Sequence, residues 1–150
     1  MLPKICKNKD NKNATVFPTL DYILRFDGCS KGNPGLAGCG AAIYHDNDEI
    51  WSGYMYVGDN STNNHAEYAG LILGLQQALE MNIVSLAVEG DSQLVINQMN
   101  KIYNCKSPNL FELYEKANEL TKKFKIITFN HIYRKQNKRA DQLSNIAIDK

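Results

Sequence analysis

The apolar positions in the first part of the chain follow a strand pattern in three successive segments. The three strand-like runs are YILRFDG (residues 22–28), AGCGAAIYHD (37–46) and EIWSGYMYVG (49–58). Turn-forming residues separate these runs: CSKGNPG follows the first, and DND lies between the second and the third. Because strands joined by short turns pair with their neighbours, the pattern predicts an antiparallel meander.

A helical pattern replaces the strand pattern in NNHAEYAGLILGLQQALEMN (residues 63–82). Apolar residues recur there at the spacing of one helix face, at Leu71, Ile72, Leu75, Ala78 and Leu79. Gly70 and Gly74 have no side chain, so we expect this helix to approach the sheet closely. The two glycines have the GxxxG spacing of paired membrane helices. Gln76, Gln77 and Glu80 argue against that interpretation, because they interrupt the apolar surface.

The remainder of the chain alternates helices with single strands. VSLAVEG (84–90) and KIITFNHIY (125–133) have the composition of strands, whereas DSQLVINQMNK (91–101), PNLFELYEKANELTKKF (108–124) and NKRADQLSNIAIDK (137–150) have the pattern of helices. A meander followed by helices and further strands predicts an α/β fold, in which helices pack on a mixed sheet.

The N-terminal segment differs in composition from the rest of the chain. Residues 1–19 are polar, rich in lysine and asparagine, and interrupted by Pro3 and Pro18. We therefore expect a flexible tail over residues 1–19 and one domain over residues 20–150.

Composition narrows the class of protein. With 43% hydrophobic and 22% charged residues the chain has the composition of a globular protein, and no apolar run approaches the ~20 residues of a membrane span. The absence of a secretory signal and of any CxxC pair among the four cysteines predicts an intracellular, reducing compartment, cytoplasmic or nuclear.

Charge is distributed unevenly along the chain, although the net charge is only +1. Residues 1–100 carry 6 basic and 11 acidic side chains, whereas residues 101–150 carry 11 basic and 5 acidic ones. A basic C-terminal third can attract a polyanion while carboxylates gather elsewhere.

Four carboxylates lie at predicted junctions between elements: Asp27, Glu67, Asp91 and Asp141. Each has a structural alternative, because Asp91 can cap a helix, Asp141 can interact with a helix dipole, and Glu67 can form a capping box with Asn64. If the four converge, their mutual repulsion requires cations, and oxygen ligands favour Mg²⁺ or Mn²⁺. Two such ions are a common device for displacement at a phosphodiester.

Four motifs together resemble type 1 ribonuclease H in order and spacing. They are DGCSKGNPG, TNNHAEY, VEGDSQLV and HIYRKQNKRADQLSN, and the resemblance covers roughly residues 20–149. It implies a ribonuclease H-like α/β fold with a mixed five-stranded sheet of order 3-2-1-4-5, strand 2 antiparallel, and helices on both faces. It also implies a metal-dependent endoribonuclease that cuts the RNA strand of RNA–DNA hybrids by a two-metal mechanism, leaving 5′-phosphate and 3′-hydroxyl ends.

The resemblance assigns roles to individual residues. Its metal-binding carboxylates match Asp27, Glu67, Asp91 and Asp141, which would hold two Mg²⁺ ions, with Mn²⁺ as a substitute. Its catalytic histidine matches His131, on an expected mobile loop. The residues that grip the hybrid, in turns or beside the third carboxylate, match Gly28, Cys29, Ser30, Asn33, Thr62, Asn63, Asn64, Ser92 and Gln93.

One part of the family pattern is missing. Bacterial members commonly carry a basic, tryptophan-bearing handle between the third and fourth carboxylates, but here NKIYNCKSPN passes almost directly into the next helix. The chain therefore resembles the compact form without the handle. We expect a monomer whose grip on the DNA strand of the hybrid comes from the basic C-terminal third, with these candidates: Lys101, Lys106, Lys122, Lys123, Lys125 and the RKQNKR loop.

Three other functions fit the same scaffold. A nuclease of this fold could act on DNA junctions, but the asparagine- and glycine-rich turns favour an RNA strand with its 2′-hydroxyls. A domain derived from a reverse transcriptase is disfavoured because the predicted ends are self-contained. A non-catalytic nucleic-acid binding module is disfavoured because all four carboxylate positions are filled.

Overall fold

The computed structural model describes residues 20–149, so the tail predicted over residues 1–19 lies outside the described residues. The strands are β1 (Tyr22–Lys31), β2 (Gly35–His45), β3 (Asp48–Ser61), β4 (Ser85–Gly90) and β5 (Ile126–His131). The helices are α1 (Asn63–Glu80), α2 (Gln93–Met99), α3 (Pro108–Thr121) and α4 (Lys138–Asp149), with a short 3₁₀ helix at Arg134–Gln136.

The five strands form one mixed sheet in the order β3-β2-β1-β4-β5. β2 is antiparallel to β1 and β3, whereas β4 is parallel to β1 and β5. Short turns connect the antiparallel strands and helices connect the parallel ones, as the geometry of the two kinds of pairing requires. The predicted α/β class, strand order and antiparallel strand 2 are confirmed.

Strand β1 is longer than its apolar pattern predicted. It continues past Asp27 to Lys31, because residues 27–31 remain paired with β2. The prediction that Gly28, Cys29 and Ser30 belong to a turn is therefore wrong, and the turn begins after Lys31. On its other edge β1 pairs with β4 only as far as Phe26 and Gly90, so Asp27 is the first residue beyond the parallel ladder.

Helices cover both faces of the sheet, as predicted. A side chain added at Gly28 would run into the α1 backbone at Ala66, whereas one added at Gly40 would run into Leu143 of α4. Residues 28 and 40 point to opposite faces, because Gly40 pairs with Asp27, the neighbour of Gly28. The buried core lies between the sheet and helices α1 to α3, and it includes Leu24, Phe26, Leu71, Leu75, Val88 and Val95.

The close approach of α1 to the sheet depends on Gly70. A Cβ atom at this position would lie 2.5 Å from the Asp27 carbonyl oxygen and 3.2 Å from that of Gly40. We expect Gly70→Ala to lower the free energy of unfolding by about 1–3 kcal/mol, because the helix must move away from β1. Urea unfolding measures this, and Gly58→Ala is the control, because a Cβ there meets only the Ser61 hydroxyl at 3.0 Å. Equal stability of the two variants would contradict the prediction.

The segment between α2 and α3 is short. α2 ends at Met99 and α3 begins at Pro108, so only residues 100–107 separate the two helices. The Lys101 ammonium donates to Asn118 Oδ1 at 2.6 Å and to the Tyr114 hydroxyl at 3.1 Å, which fixes this connection to α3. The predicted compact form without a handle agrees with this geometry.

Two observations concern the predicted compartment. None of the helices within residues 20–149 combines the length and the apolar character that crossing a membrane requires. Cys29, Cys39 and Cys105 are free thiols, in agreement with the absence of paired-cysteine motifs.

Candidate active site

Three of the predicted carboxylates meet where strands β1 and β4 separate. Asp27 lies on β1 just past the last β1–β4 pair, Asp91 follows β4 directly, and Glu67 comes from the start of α1. Each of the three offers an oxygen atom, and these atoms lie within 4.8 Å of one another. Sheet topology therefore brings together residues that are far apart in the sequence.

Burial and mutual repulsion disfavour the ionised forms of these groups. Asp27 is 5% exposed and Glu67 is 8% exposed. Burial, and then the charge of Asp91, raise the pKa of Asp27 to about 7, although the Gly28 amide donates to its Oδ1 at 2.9 Å. Burial and the charge of Asp27 raise the pKa of Glu67 well above its usual value. Burial also raises the pKa of Asp91, against the opposing charge of Arg134.

The cluster has the properties of a site for a hard divalent cation. Glu67 Oε1 is buried and has no hydrogen-bond partner among the described residues. Among residues 20–149, no ion pair involves Asp27, Glu67 or Asp91. An unpaired buried carboxylate is costly, and a donor set made only of carboxylate oxygens suits Mg²⁺ or Mn²⁺. The residues present therefore fit the cation that the sequence predicted.

Helix capping does not account for these carboxylates. The N-cap of α1 is Thr62, whose Oγ1 accepts from the His65 amide at 3.2 Å, so the capping box of Asn64 with Glu67 is wrong. The N-cap of α2 is Ser92, whose Oγ accepts from the Val95 amide at 3.2 Å, so Asp91 is not the cap.

Asp141 lies at the edge of the cluster rather than within it. It is in the first turn of α4 and lines the same cleft as Asp27 and Glu67. The side-chain amide of Asn145 donates to the backbone carbonyl oxygen of Asp141 at 2.9 Å and approaches Asp141 Oδ1 at 3.4 Å. Its charge contributes to the raised pKa values of Asp27 and Asp91, which places it within electrostatic reach of both.

His131 lies at the end of a strand, as the strand pattern over residues 125–133 predicted, and not on the mobile loop that the resemblance implied. It is the last residue of β5, and its Nε2 atom is 3.3 Å from the backbone oxygen of Asp91. Its ring contacts Tyr133 edge to face, with 5.6 Å between centroids. Because its ring lies against the backbone of Asp91, His131 is next to the carboxylates although it belongs to a strand.

Arg134 is a residue of the cleft that the sequence prediction missed. It lines the cleft together with Asp27, Glu67 and Asp141, and its charge opposes the upward pKa shift of Asp91. In the sequence it is only one of several cations in RKQNKR. Nothing in the local pattern distinguishes it from Lys135 or Lys138, because the 3₁₀ helix that contains it is too short to show a periodicity.

Hydrogen bonds join the β1–β2 turn to the start of α1. Asn63 Oδ1 accepts from the Ser30 amide at 2.7 Å, and Asn33 Oδ1 accepts from the Asn63 amide at 2.9 Å. The Ser30 hydroxyl donates to the Ser61 carbonyl at 2.6 Å. Both asparagines thus use their oxygen atoms internally, which leaves their side-chain NH₂ groups as donors.

The other predicted substrate residues fall into two groups. Thr62, Asn64 and Gln93 are exposed, and Ser92 and Cys29 are half-buried, with Cys29 lining the cleft. Gly28 is buried against the backbone of Ala66 and Glu67, where any side chain would clash. Its observed contribution is therefore the close packing of α1 on β1.

The fold and the carboxylate cluster define the class of protein: a ribonuclease H-like domain. Residues 25–147 match the family model described as "Reverse transcriptase-like". The chain is 38% identical to the bifunctional protein Rv2228c of Mycobacterium tuberculosis over 131 residues, covering 87% of this chain and 36% of that protein. It is 37% identical to ribonuclease HI of Halobacterium salinarum over 125 residues, covering 83% of this chain and 62% of that protein. The chain thus spans only part of the length of these relatives.

Solved structures agree with the sequence matches. The ribonuclease H domain of Rv2228c superposes with a TM-score of 0.83 at 37% identity, covering 87% of this chain and 95% of that one. LC11-RNase H1, solved in complex with an RNA/DNA hybrid, superposes with a TM-score of 0.80 at 36% identity, covering 85% of this chain and 96% of that one. The chain belongs to the ribonuclease H family.

Proposed function

We propose that the protein is an endoribonuclease that hydrolyses the RNA strand of RNA–DNA hybrids and leaves 5′-phosphate and 3′-hydroxyl ends. The observation that carries this proposal is the buried cluster of Asp27, Glu67 and Asp91 with its unpartnered Glu67 oxygen. Membership of the ribonuclease H family supports the choice of reaction, and the hybrid in the LC11-RNase H1 structure supports the choice of substrate.

The proposed cofactor is Mg²⁺, for which Mn²⁺ can substitute. Asp27, Glu67, Asp91 and Asp141 would hold two ions, which when bound supply Lewis acidity toward the attacking water and neutralise charge that develops on the phosphate. Two of these carboxylates, Asp27 and Glu67, are buried, so the protein holds their charge out of contact with bulk water. Phosphoryl transfer requires mainly positioning and electrostatic stabilisation, so no nucleophilic side chain is needed.

Hybrid recognition is assigned to the turn and helix start beside the cluster. The side-chain NH₂ groups of Asn33 and Asn63 would donate to the 2′-hydroxyls of the RNA strand. These hydroxyls are accessible in the wide, shallow minor groove. Thr62, Asn64 and Gln93 are exposed, and Gly28, Cys29, Ser30 and Ser92 complete the predicted contact set. The guanidinium of Arg134, which lines the same cleft, would interact with the phosphate backbone.

His131 is proposed to transfer a proton or to help the product and the metal leave the site. We expect His131→Ala to lower kcat by up to about 100-fold without abolishing cleavage, because the carboxylates remain in place. Steady-state cleavage of a labelled hybrid measures this. His45→Ala is the matched control, because His45 stacks on Tyr22 at the far end of β2 and should leave kcat unchanged. If His131→Ala matches the wild type, the proton-transfer role is wrong.

The function is tested by incubating the protein with labelled RNA–DNA hybrid, double-stranded RNA and double-stranded DNA, with Mg²⁺ or with EDTA. We expect cleavage only of the RNA strand of the hybrid, and only with Mg²⁺. Cleavage of duplex or branched DNA would instead favour a DNA nuclease of the same fold. Binding of the hybrid without any cleavage would favour a non-catalytic module.

A further inference from the structure

Asn137 is a buried polar residue to which the proposed chemistry gives no role. It lies between the 3₁₀ helix and α4 and is 1% exposed. Burying an amide costs free energy unless its polar atoms find partners. The partners of Asn137 therefore show what the residue holds together.

The first partner is on strand β1. Asn137 Nδ2 donates to the Phe26 carbonyl oxygen at 2.9 Å, across 111 positions of sequence. Phe26 immediately precedes Asp27, and the Phe26–Gly90 pair is the last of the parallel ladder. The amide of Asn137 therefore joins the start of α4 to β1 at the point where β1 and β4 separate.

A second contact is with the last carboxylate. The backbone amide of Asp141 donates to the Asn137 carbonyl oxygen at 3.1 Å. The Asn137 side chain also lies beside Asp91 and lowers the pKa of that carboxyl, against the larger effect of burial. A single residue is thus bonded to Asp141 and to the residue before Asp27, and lies next to Asp91.

The remaining atom of the amide has no partner. Within residues 20–149, the buried side-chain oxygens without a hydrogen bond are Glu67 Oε1 and Asn137 Oδ1. Donation from Nδ2 to the Phe26 carbonyl oxygen sets the orientation of the amide, so Oδ1 is left as an acceptor. A hydrated cation supplies both a charge for carboxylates and water molecules that can donate to an amide oxygen.

We propose that Asn137 is a positioning residue that sets the spacing of Asp27 and Asp91 for divalent-cation binding. This inference rests on the proposed function, because it requires that the cluster bind Mg²⁺. Asn137 acts through the carboxylates and not on the substrate. Its loss should therefore weaken the affinity for Mg²⁺ while leaving the affinity for the hybrid unchanged.

The primary test is Asn137→Leu, which has a similar volume but no donor. Calorimetric titration of the EDTA-treated, folded protein with Mg²⁺ should show an affinity about 10- to 100-fold below that of the wild type, as is usual when a group that orients a metal ligand is removed. At a fixed, subsaturating Mg²⁺ concentration kcat should fall by a similar factor, while KM for the hybrid should stay unchanged. Asn137→Ser retains one donor and should give an intermediate Mg²⁺ affinity.

Gln98→Leu is the matched control for a general loss of stability. Gln98 is 3% exposed, accepts from the Tyr68 hydroxyl at 2.6 Å and donates to the Asn104 carbonyl at 3.3 Å, so it is an equally buried amide with two partners. Its replacement should lower the melting temperature but leave the Mg²⁺ affinity within about twofold of the wild type, because no partner belongs to the site.

If Asn137→Leu binds Mg²⁺ as tightly as the wild type, the positioning role is wrong. If Asn137→Leu does not fold, the same result for Asn137→Ser leads to the same conclusion. In either case a wild-type protein that binds Mg²⁺ and cuts the hybrid leaves the proposed function intact. A wild-type protein that neither binds Mg²⁺ nor cuts the hybrid overturns the proposed function and the positioning role together.

Discussion

Asp27→Asn is expected to reduce cleavage of the hybrid below detection and at the same time to stabilise the metal-free protein. Asp27 is 5% exposed and its pKa is raised to about 7, because it is buried and lies near the charge of Asp91. At pH 8 its ionised form therefore opposes folding. Removing the charge should raise the free energy of unfolding by about 2–4 kcal/mol, from roughly 1.4 kcal/mol per unit of pKa shift.

The same substitution removes a proposed metal ligand, so the gain in stability and the loss of activity should appear in one protein. Urea unfolding in EDTA measures the first, and cleavage of labelled hybrid in Mg²⁺ measures the second. Asp48→Asn is the control, since Asp48 is exposed at the start of β3 and should change neither quantity. Hybrid cleavage by Asp27→Asn at a rate near that of the wild type would refute the proposed role of the carboxylate.

The stability of the metal-free protein is expected to fall as the pH rises from about 4 to about 7. Asp27 has an ordinary pKa of 3.8 when exposed and a pKa of about 7 in the folded protein, so between these values the folded state binds more protons. Stability decreases with pH wherever the folded state holds the extra proton, and it levels off above the folded-state pKa. The expected loss is up to about 4 kcal/mol, and the raised pKa of Glu67 acts in the same direction.

Mg²⁺ should reverse this loss, because it favours the ionised carboxylates. At pH 8 a concentration of about 100 times Kd should add about 2.7 kcal/mol, whereas at pH 5 protons compete and the gain should be smaller. Melting curves from pH 4 to 9, with Mg²⁺ or with EDTA, measure both effects. A metal-free protein whose stability is flat or increases over this range would show that the carboxylates do not repel one another in the folded state.

The sequence predicted the strand order and the three clustered carboxylates because those features have local or motif signals. The hairpins follow from short turns, α1 follows from its apolar spacing, and Asp27, Glu67 and Asp91 lie in motifs. The prediction ended β1 too early, because the length of a strand depends on how far its neighbouring strand pairs with it. Pairing with β2 carries β1 on to Lys31, and that pairing depends on residues 36–40, which the pattern of β1 does not contain.

Two features of the site had no signal in the local sequence. Asn137 looks like an ordinary asparagine before a helix, and its importance depends on Phe26, which is 111 positions away. Arg134 likewise had no distinguishing signal, because the short 3₁₀ helix that follows β5 is what places it at the cleft. Long-range packing decides such contacts, and neither periodicity nor composition records it.

The separation of β1 from β4 after Phe26 and Gly90 also bears on when the carboxylate cluster is complete. Its members on β1, α1 and the end of β4 lie 40 and 24 positions apart along the chain, at residues 27, 67 and 91. The cluster therefore requires the parallel pairing of β1 with β4, which places Asp91 beside Asp27. A nascent chain that still lacks β4 contains only two of the three carboxylates, so the proposed cation site belongs to the completed sheet.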